Sequence, residues 1–254
     1  MYKIPQMLNC FCVSLLLLPM VATPLRAQES RAFTTEDALN IAQISIEALT
    51  PDGRFVAATR WTSRDRKNVD HMRFGDPTYI APSFADVLVI DASTGNQTPV
   101  FDSKVQTRAF DWSPDGKTLA FFYLDGEQYS LYTYDREHNQ TRKVDLRTSK
   151  TIASNSPLEW RPDGTGILVT LRAEGWAETS RKAYEDLTYG PTIVQDSSEP
   201  FLAWDAVRNR GQLSIPAIVE LPSQEVRELF DHEVSLQNIS QSEDGGHISY
   251  LSVD

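Results

Sequence analysis

One short string recurs along the chain and limits what it can fold into. Leu49-Thr-Pro-Asp-Gly-Arg-Phe-Val-Ala57 returns as Trp112-Ser-Pro-Asp-Gly-Lys-Thr-Leu-Ala120 and again as Trp160-Arg-Pro-Asp-Gly-Thr-Gly-Ile-Leu168. A weaker copy runs Ser240-Gln-Ser-Glu-Asp-Gly-Gly-His-Ile-Ser249. Pro pre-sets the first dihedral of a turn, Asp caps it with its side chain, and Gly accepts the left-handed conformation without a Cβ clash. An apolar stretch follows each turn, as in Thr118 to Tyr123 and Ile167 to Leu171, and a short strand such as Thr107 to Trp112 precedes it. Each copy therefore reads as a β-hairpin.

A second element recurs in phase with the first. Asp86 to Asp91 leads into Ser93 to Thr98, Ser130 to Asp135 into Glu137 to Thr141, and Pro216 to Leu221 into Pro222 to Glu225. Each reads as a strand, a polar turn and a further strand. Hairpin plus hairpin makes a four-stranded antiparallel unit, the blade of a β-propeller. The fold class is all-β, a partial β-propeller of about three blades plus the start of a fourth, with a short helical insertion.

The spacings Gly53 to Gly116, Gly116 to Gly164 and Gly164 to Gly245 are 63, 48 and 81 residues. The middle value is near the roughly 40–50 residues of a propeller blade, so the longer ones imply insertions, near 63–82 and 172–210. A sandwich also uses short strands, but it gives no reason for the repeated turn.

Before the repeats, Lys3 precedes an apolar run from Met7 to Val21, and Leu25-Arg26-Ala27 offers a small residue for cleavage ahead of Gln28. That pattern predicts a secretory signal peptide over 1–27. The run is short of the roughly 20 apolar residues a spanning helix needs. Residues 28–43 form a lead-in segment and 44–254 an incomplete propeller domain. Both cysteines, Cys10 and Cys12, fall within the signal, so the mature chain has no thiol or disulfide chemistry. Loss of Lys3 and Arg26 lowers the formal charge from -11 to -13. Such acidity, with no basic patch, excludes nucleic acid as a partner.

The turn copies resemble the Asp-Gly propeller repeats of TolB-type periplasmic proteins and of prolyl oligopeptidase-family serine peptidases. Phe33-Thr-Thr-Glu-Asp-Ala-Leu39, followed by Ile44 to Ala57, is similar to the opening of secreted dipeptidyl- or acylaminoacyl-peptidase-like members. In that family a short helix leads into the first hairpin. The resemblance covers roughly residues 33–254, and it implies a substrate-gating propeller ahead of a C-terminal α/β-hydrolase domain with a Ser-Asp-His triad acting on short peptides. The sequence departs from the family in having no G-x-S-x-G nucleophile elbow. It reads as a fragment or truncated frame of a longer enzyme, with that catalytic domain as missing partner. A non-enzymatic, TolB-like interaction scaffold is the alternative.

No residue is assigned a catalytic, cofactor-binding or metal-ligating role. His71, His138, His232 and His247 share no metal-ligand spacing and read as surface or turn histidines. Trp112 and Trp160 occupy equivalent repeat positions, which argues for packing between blades. Asp52, Asp115 and Asp163 are turn residues. The basic run Arg60 to Lys67, with His71, Arg73 and Tyr79, reads as a solvated loop, or alternatively as a contact for a peptide carboxylate. In the second insertion, Glu178 to Leu187 is helix-like, and Phe201 and Trp204 are spaced to share a helical face that pins the insertion to the propeller. Asp196-Ser-Ser-Glu-Pro200 lacks the glycines of a nucleophile elbow. Gly116 and Gly164 should adopt positive φ, with Gly95 in a looser turn.

Export can be checked directly. Residues 1–30, fused ahead of a periplasm-dependent reporter, should direct secretion and be cut near Ala27. N-terminal sequencing that finds Met1 on exported reporter would argue for an anchor instead.

Overall fold

In the computed structural model, residues 31–71, 73, 76–188 and 203–252 are described, and residues 35–254 form one compact unit distinct from 1–34. The signal segment and Phe201 lie outside the described residues.

The lead-in ends in the one-turn helix α1 (Thr35–Leu39). Blade one is a four-stranded antiparallel sheet of β1 (Ala42–Leu49), β2 (Phe55–Thr62), β3 (Asp86–Asp91) and β4 (Gln97–Pro99) in sequence order. Blade two repeats it with β5 (Thr107–Trp112), β6 (Thr118–Asp125), β7 (Gln128–Asp135) and β8 (Gln140–Lys143). In blade three the inner strand is broken into β9 (Thr151–Ile152) and β10 (Glu159–Trp160). It is followed by β11 (Gly166–Arg172), β12 (Leu213–Glu220) and β13 (Glu225–Glu228). The hairpin β14 (Val234–Gln241) and β15 (Ile248–Ser252) begins a fourth blade. The fold is a partial β-propeller, as the repeat predicts.

All four Asp-Gly turns have one architecture. In the second, Asp115 Oδ1 accepts from Ser113 Oγ at 2.6 Å and from the Lys117 amide at 3.1 Å, while Ser113 Oγ accepts the Thr118 amide at 3.0 Å. The first turn uses Thr50, Asp52, Arg54 and Phe55 in the same way, and the weak fourth copy uses Ser242, Asp244, Gly246 and His247. In the third, Arg161 stands where the hydroxyl residue would be, and Asp163 accepts from Thr165 and Arg161 instead. These hydrogen bonds, led by the Ser113 hydroxyl for Asp115, hold the turn carboxylates of Asp52, Asp115, Asp163 and Asp244 below the ordinary carboxylate value. Hydrogen bonding to the ionised form is the reason.

The turns also nest. A Cβ on Gly116 would sit 3.4 Å from the Thr50 side chain, one on Gly164 3.8 Å from Pro114 Cδ, and one on Gly245 3.1 Å from Pro162 Cδ. Each blade thus rests its turn glycine on the preceding blade's turn. A second repeating contact lies two residues earlier. Asp111 Oδ2 accepts the Trp160 amide at 2.8 Å, and Glu159 Oε2 accepts the Gln241 amide at 3.0 Å. At the matching position blade one has Ala48, and the indole Nε1 of Trp112 is buried without a partner.

Because blades two and three have a neighbour packed on each face, their central strands are buried on both sides. In β6, Leu119 and Phe121 join the core shared with blade one, beside Val87, Val89 and Trp112. Ala120 and Phe122 face the core shared with blade three, among Ile167, Val169, Leu171 and Val219. Leu168 and Ile218 turn the other way, toward Leu236 and Ile239 of β14. This explains the unbroken apolar runs Leu119 to Phe122 and Ile167 to Val169 where an exposed sheet would alternate. Each such side chain contributes about 1.5–3 kcal/mol on burial. Trp112 is packed between blades one and two, and Trp160 packs against the core between two and three while donating to Asp111 O at 3.1 Å.

Gly95 shares the left-handed backbone of Gly116, with φ of +74° against +68°. What separates them is nesting, since a Cβ on Gly95 or Gly53 meets nothing within 4 Å. Gly116→Val should therefore lower stability by more than Gly53→Val or Gly95→Val, each of which carries about 1–3 kcal/mol of backbone strain. Denaturant midpoints checking the three variants side by side would show equal losses if nesting contributed nothing.

Candidate functional site

Strands alternate in direction, so connections between second and third strands lie at the blade ends opposite the Asp-Gly turns. In blade two this connection is tight, with Gly126 at φ +69°. In blades one and three it is long, running from β2 to β3 and from β11 to β12. The second carries α2 (Trp176–Thr188) and α3 (Ala203–Arg210).

The two long connections meet on Arg172, the last residue of β11, whose side chain is 3% exposed. Its Nη1 donates to Gly211 O at 2.8 Å and Leu213 O at 2.6 Å, which fixes where the second connection re-enters the sheet. Its Nη2 donates to Asn155 Oδ1 at 3.3 Å and faces Asp76 Oδ2 at 3.4 Å, and its guanidinium stacks 4.0 Å from the Trp176 ring centroid. Asp76 also accepts from the Thr78 amide at 2.8 Å, the Thr78 hydroxyl at 2.6 Å and the Ser154 hydroxyl. Burial pushes Arg172 below the ordinary arginine value, and Asp76 opposes that shift. Arginine stays protonated in proteins, so the buried charge is held by its partners. Gly211 is required here, because a Cβ would lie 2.7 Å from Thr78 Oγ1.

Next to this clasp stands Arg108, on the inner strand of blade two. Its guanidinium lies 5.2 Å from the ring centroid of Tyr79, in the first connection, and 5.9 Å from that of Tyr129 on β7. Nη2 donates weakly to Ser156 O at 3.4 Å, and Nη1 is buried with no partner. The Tyr129 hydroxyl is also buried and unpartnered, and burial raises its pKa far above the usual phenol value. A cavity of about 100 Å³ adjoins Tyr79 and Tyr129, lined also by Asp70, Asp76, Gln106 and Ser154. Another, of about 300 Å³, is lined by Arg108, Asn155, Ser156, Thr170, Ser214 and Asn238.

That second cavity follows from the repeat. Ala109 and Asn238, both on its wall, have φ of +52° and +53° and interrupt the register of β5 and β14 four residues before their turns. Pro157 holds the matching place in blade three. Three inner strands thus open at one level and leave polar backbone and side chains around one space. A larger groove of about 540 Å³ lies on the turn side, between Ser113 to Asp115 and Asp163 to Gly164. Its carboxylates are committed to turn hydrogen bonds.

The residues weighed in the sequence take varied places. His138 and His232 are exposed and pair with Asp135 at 2.8 Å and Asp231 at 2.6 Å, and His71 Nε2 lies 3.3 Å from Arg66 O. No metal-binding group of side chains occurs among the described residues. The basic run is largely partnered: Arg60 pairs with Asp86 at 3.0 Å, Arg64 with Glu36, and Arg66 stacks on Trp61. The reading of a solvated loop fails from Asp76 to Tyr79, because Asp76 is drawn to Arg172 and Tyr79 packs on the core. The helix-like stretch 178–187 lies within α2, but Phe201 is outside the described residues and the Trp204 side chain is not among those described.

No family model matches the sequence. A Bacillus subtilis (strain 168) protein described as the uncharacterized peptidase YuxL is 27% identical over 217 residues, 85% of this chain and 30% of that protein. This chain thus spans about a third of its length. Among solved structures, an oligogalacturonate lyase in complex with manganese matches with a TM-score of 0.50 at 14% identity, over 82% of this chain and 46% of the other. A prolyl endopeptidase matches with a TM-score of 0.47 at 17% identity, over 84% of this chain and 26% of the other. TolB from Acinetobacter baumannii matches at 0.47 and 16%, over 82% and 37%. At these identities the structural likeness concerns the fold, whereas the Bacillus relative carries the peptidase connection in sequence.

The clasp makes a quantitative prediction. Arg172→Ala leaves Asp76 buried beside an empty space and should cost about 3–5 kcal/mol. Asp76→Ala, Arg172→Ala together should cost less than the sum of the single changes, as urea titration of all three variants would measure.

Proposed function

We propose that this chain is the N-terminal, substrate-gating propeller portion of an exported serine peptidase acting on short peptides. The observation that carries the reading is the 27% identity to a Bacillus subtilis peptidase over 85% of the chain, where the match takes up 30% of the peptidase. The remaining length of such a protein has room for an α/β-hydrolase domain, which would be this propeller's partner. There a serine would attack the scissile carbonyl, a histidine would take its proton, and an aspartate would orient the histidine. All three lie beyond residue 254 in this reading, and the propeller acts sterically by admitting short extended peptides.

Blade one supports a longer propeller. Ile44, Ile46 and Leu49 share the face of β1 turned away from blade two, by alternation with core residues Ala48 and Ala57, and are 62%, 69% and 53% exposed. An apolar row of that kind on an inner strand marks a contact surface. Export rests on the signal-peptide pattern of residues 1–27, and no helix of the described residues is long and apolar enough to cross a membrane.

Two measurements test the proposal. The DNA downstream of codon 254 should continue in frame to a G-x-S-x-G elbow, and a stop after a few further blades would favour the TolB-like scaffold. The 254-residue chain itself should hydrolyse no peptidyl chromogenic substrate. Turnover above background, abolished by replacing one serine within residues 28–254, would overturn the assignment of catalysis to another domain.

A further inference from the structure

The 300 Å³ cavity between the inner strands has the features of a binding site, and the proposed function says nothing of how a substrate would be held there. Its size is at the lower end of the roughly 300–1,000 Å³ of small-molecule pockets. It fits one or two residues of a peptide and no folded chain. Its polar lining is neutral apart from Arg108: Asn155, Ser156, Thr170, Ser214 and Asn238 supply amides and hydroxyls.

Arg108 is held in place by groups that do not consume its charge. Tyr79 and Tyr129 flank the guanidinium, and such rings attract a cation through their faces without neutralising it. Asp76, the nearby part-buried carboxylate, is engaged by Arg172, Ser154 and Thr78. Arg108 forms no ion pair with any described residue, and its one hydrogen bond is the long one from Nη2 to Ser156 O at 3.4 Å. A part-buried guanidinium on a cavity wall with no carboxylate partner leaves its charge open to an incoming acid. Arginine presents a planar fork that matches a carboxylate in two parallel hydrogen bonds.

We infer that Arg108 anchors the free C-terminal carboxylate of a short peptide in this cavity. The choice of a peptide as the source of the carboxylate rests on the proposed function; the carboxylate itself follows from Arg108. Ser156 cannot take the role, since its hydroxyl donates to Pro157 O at 2.7 Å and accepts the Thr170 amide at 2.7 Å. Asn238 is exposed at the cavity wall and is open to substitution without disturbing the core.

Calorimetric titration of the full chain with N-acetyl-Ala-Ala tests the assignment, with N-acetyl-Ala-Ala amide and galacturonate as the other arms. The acid should bind at least tenfold more tightly than the amide, and galacturonate should bind weakly. Arg108→Gln should lose at least tenfold in affinity for the acid, with Arg108→Lys in between because it keeps the charge and loses the fork. Asn238→Asp, which places a negative charge on the same wall, should weaken the acid severalfold and leave the amide unchanged. Circular dichroism confirms that each variant is folded, and if Arg108→Gln is not, Asn238→Asp decides. Equal binding of acid and amide, no binding of the acid to the folded chain, or unchanged binding by folded Asn238→Asp overturns the site. Galacturonate binding as tightly as the peptide acid overturns the peptide as its source. A downstream frame without a serine elbow would defeat the peptidase reading and leave this measurement standing.

Discussion

The packing of one Asp-Gly turn on the next is the constraint on which the rest of this molecule depends. A turn built from hydroxyl, proline, aspartate and glycine closes itself with side-chain hydrogen bonds, so its outline is nearly independent of the strands it joins. Laid glycine against the preceding turn's Pro or Thr, such units repeat at a fixed spacing. The Asp111-to-Trp160 and Glu159-to-Gln241 bonds then tie inner strands one step further along. Asp111 pays for this position: burial raises its pKa above the ordinary carboxylate value even though backbone amides favour its charge. The register of blades is thus set at two levels near the axis, one at the turns and one just inside them.

With blade spacing fixed on that side, the opposite ends are free to vary, and they do. Blade two closes its second and third strands with a tight hairpin, whereas blades one and three send out long connections. Arg181 of α2 donates to Arg73 O and ties the two connections once; Arg172 ties them a second time. Its two carbonyl acceptors, one carboxylate and one indole face come from both of them, so one buried cation fixes two segments far apart in sequence. The geometry places Tyr79 over Arg108 as a consequence, because Asp76 and Thr78 are held just before it.

The legible part of this fold was the part that repeats. Turn residues announce their conformation locally, and a second strand pair in phase with them implies blades, so strands such as Asp86 to Asp91 and Thr107 to Trp112 could be bounded closely. The faint fourth copy, with Glu243 in place of proline, forms the same hydrogen bonds, since Ser242 and Asp244 are the groups that close it. What the sequence concealed is non-local. Asp76 and Arg172 are 96 residues apart, and nothing in a basic, polar connection marks one aspartate as buried. A signal did exist in the strands. Arg172 ends β11, a strand buried along its whole length, and a charge in such a place requires a partner or a purpose.

That distinction bears on where function resides in this chain. A propeller's turn side is occupied by its own construction: the carboxylates of Asp115 and Asp163 stand beside the groove of about 540 Å³ yet are spent on turn hydrogen bonds. On the other side, the clasp consumes Asp76 and Arg172 but leaves the Arg108 guanidinium without a carboxylate partner among the described residues, beside a polar cavity. The inner-strand irregularities at Ala109 and Asn238 are what create that space, for a regular strand would bring its side chains together and fill it. The repeat gains this space where its inner strands share one irregularity. Here the departures at Ala109, Pro157 and Asn238 fall at one level, beside the only arginine of β5, so the chemistry of the site and the break in the pattern share one cause.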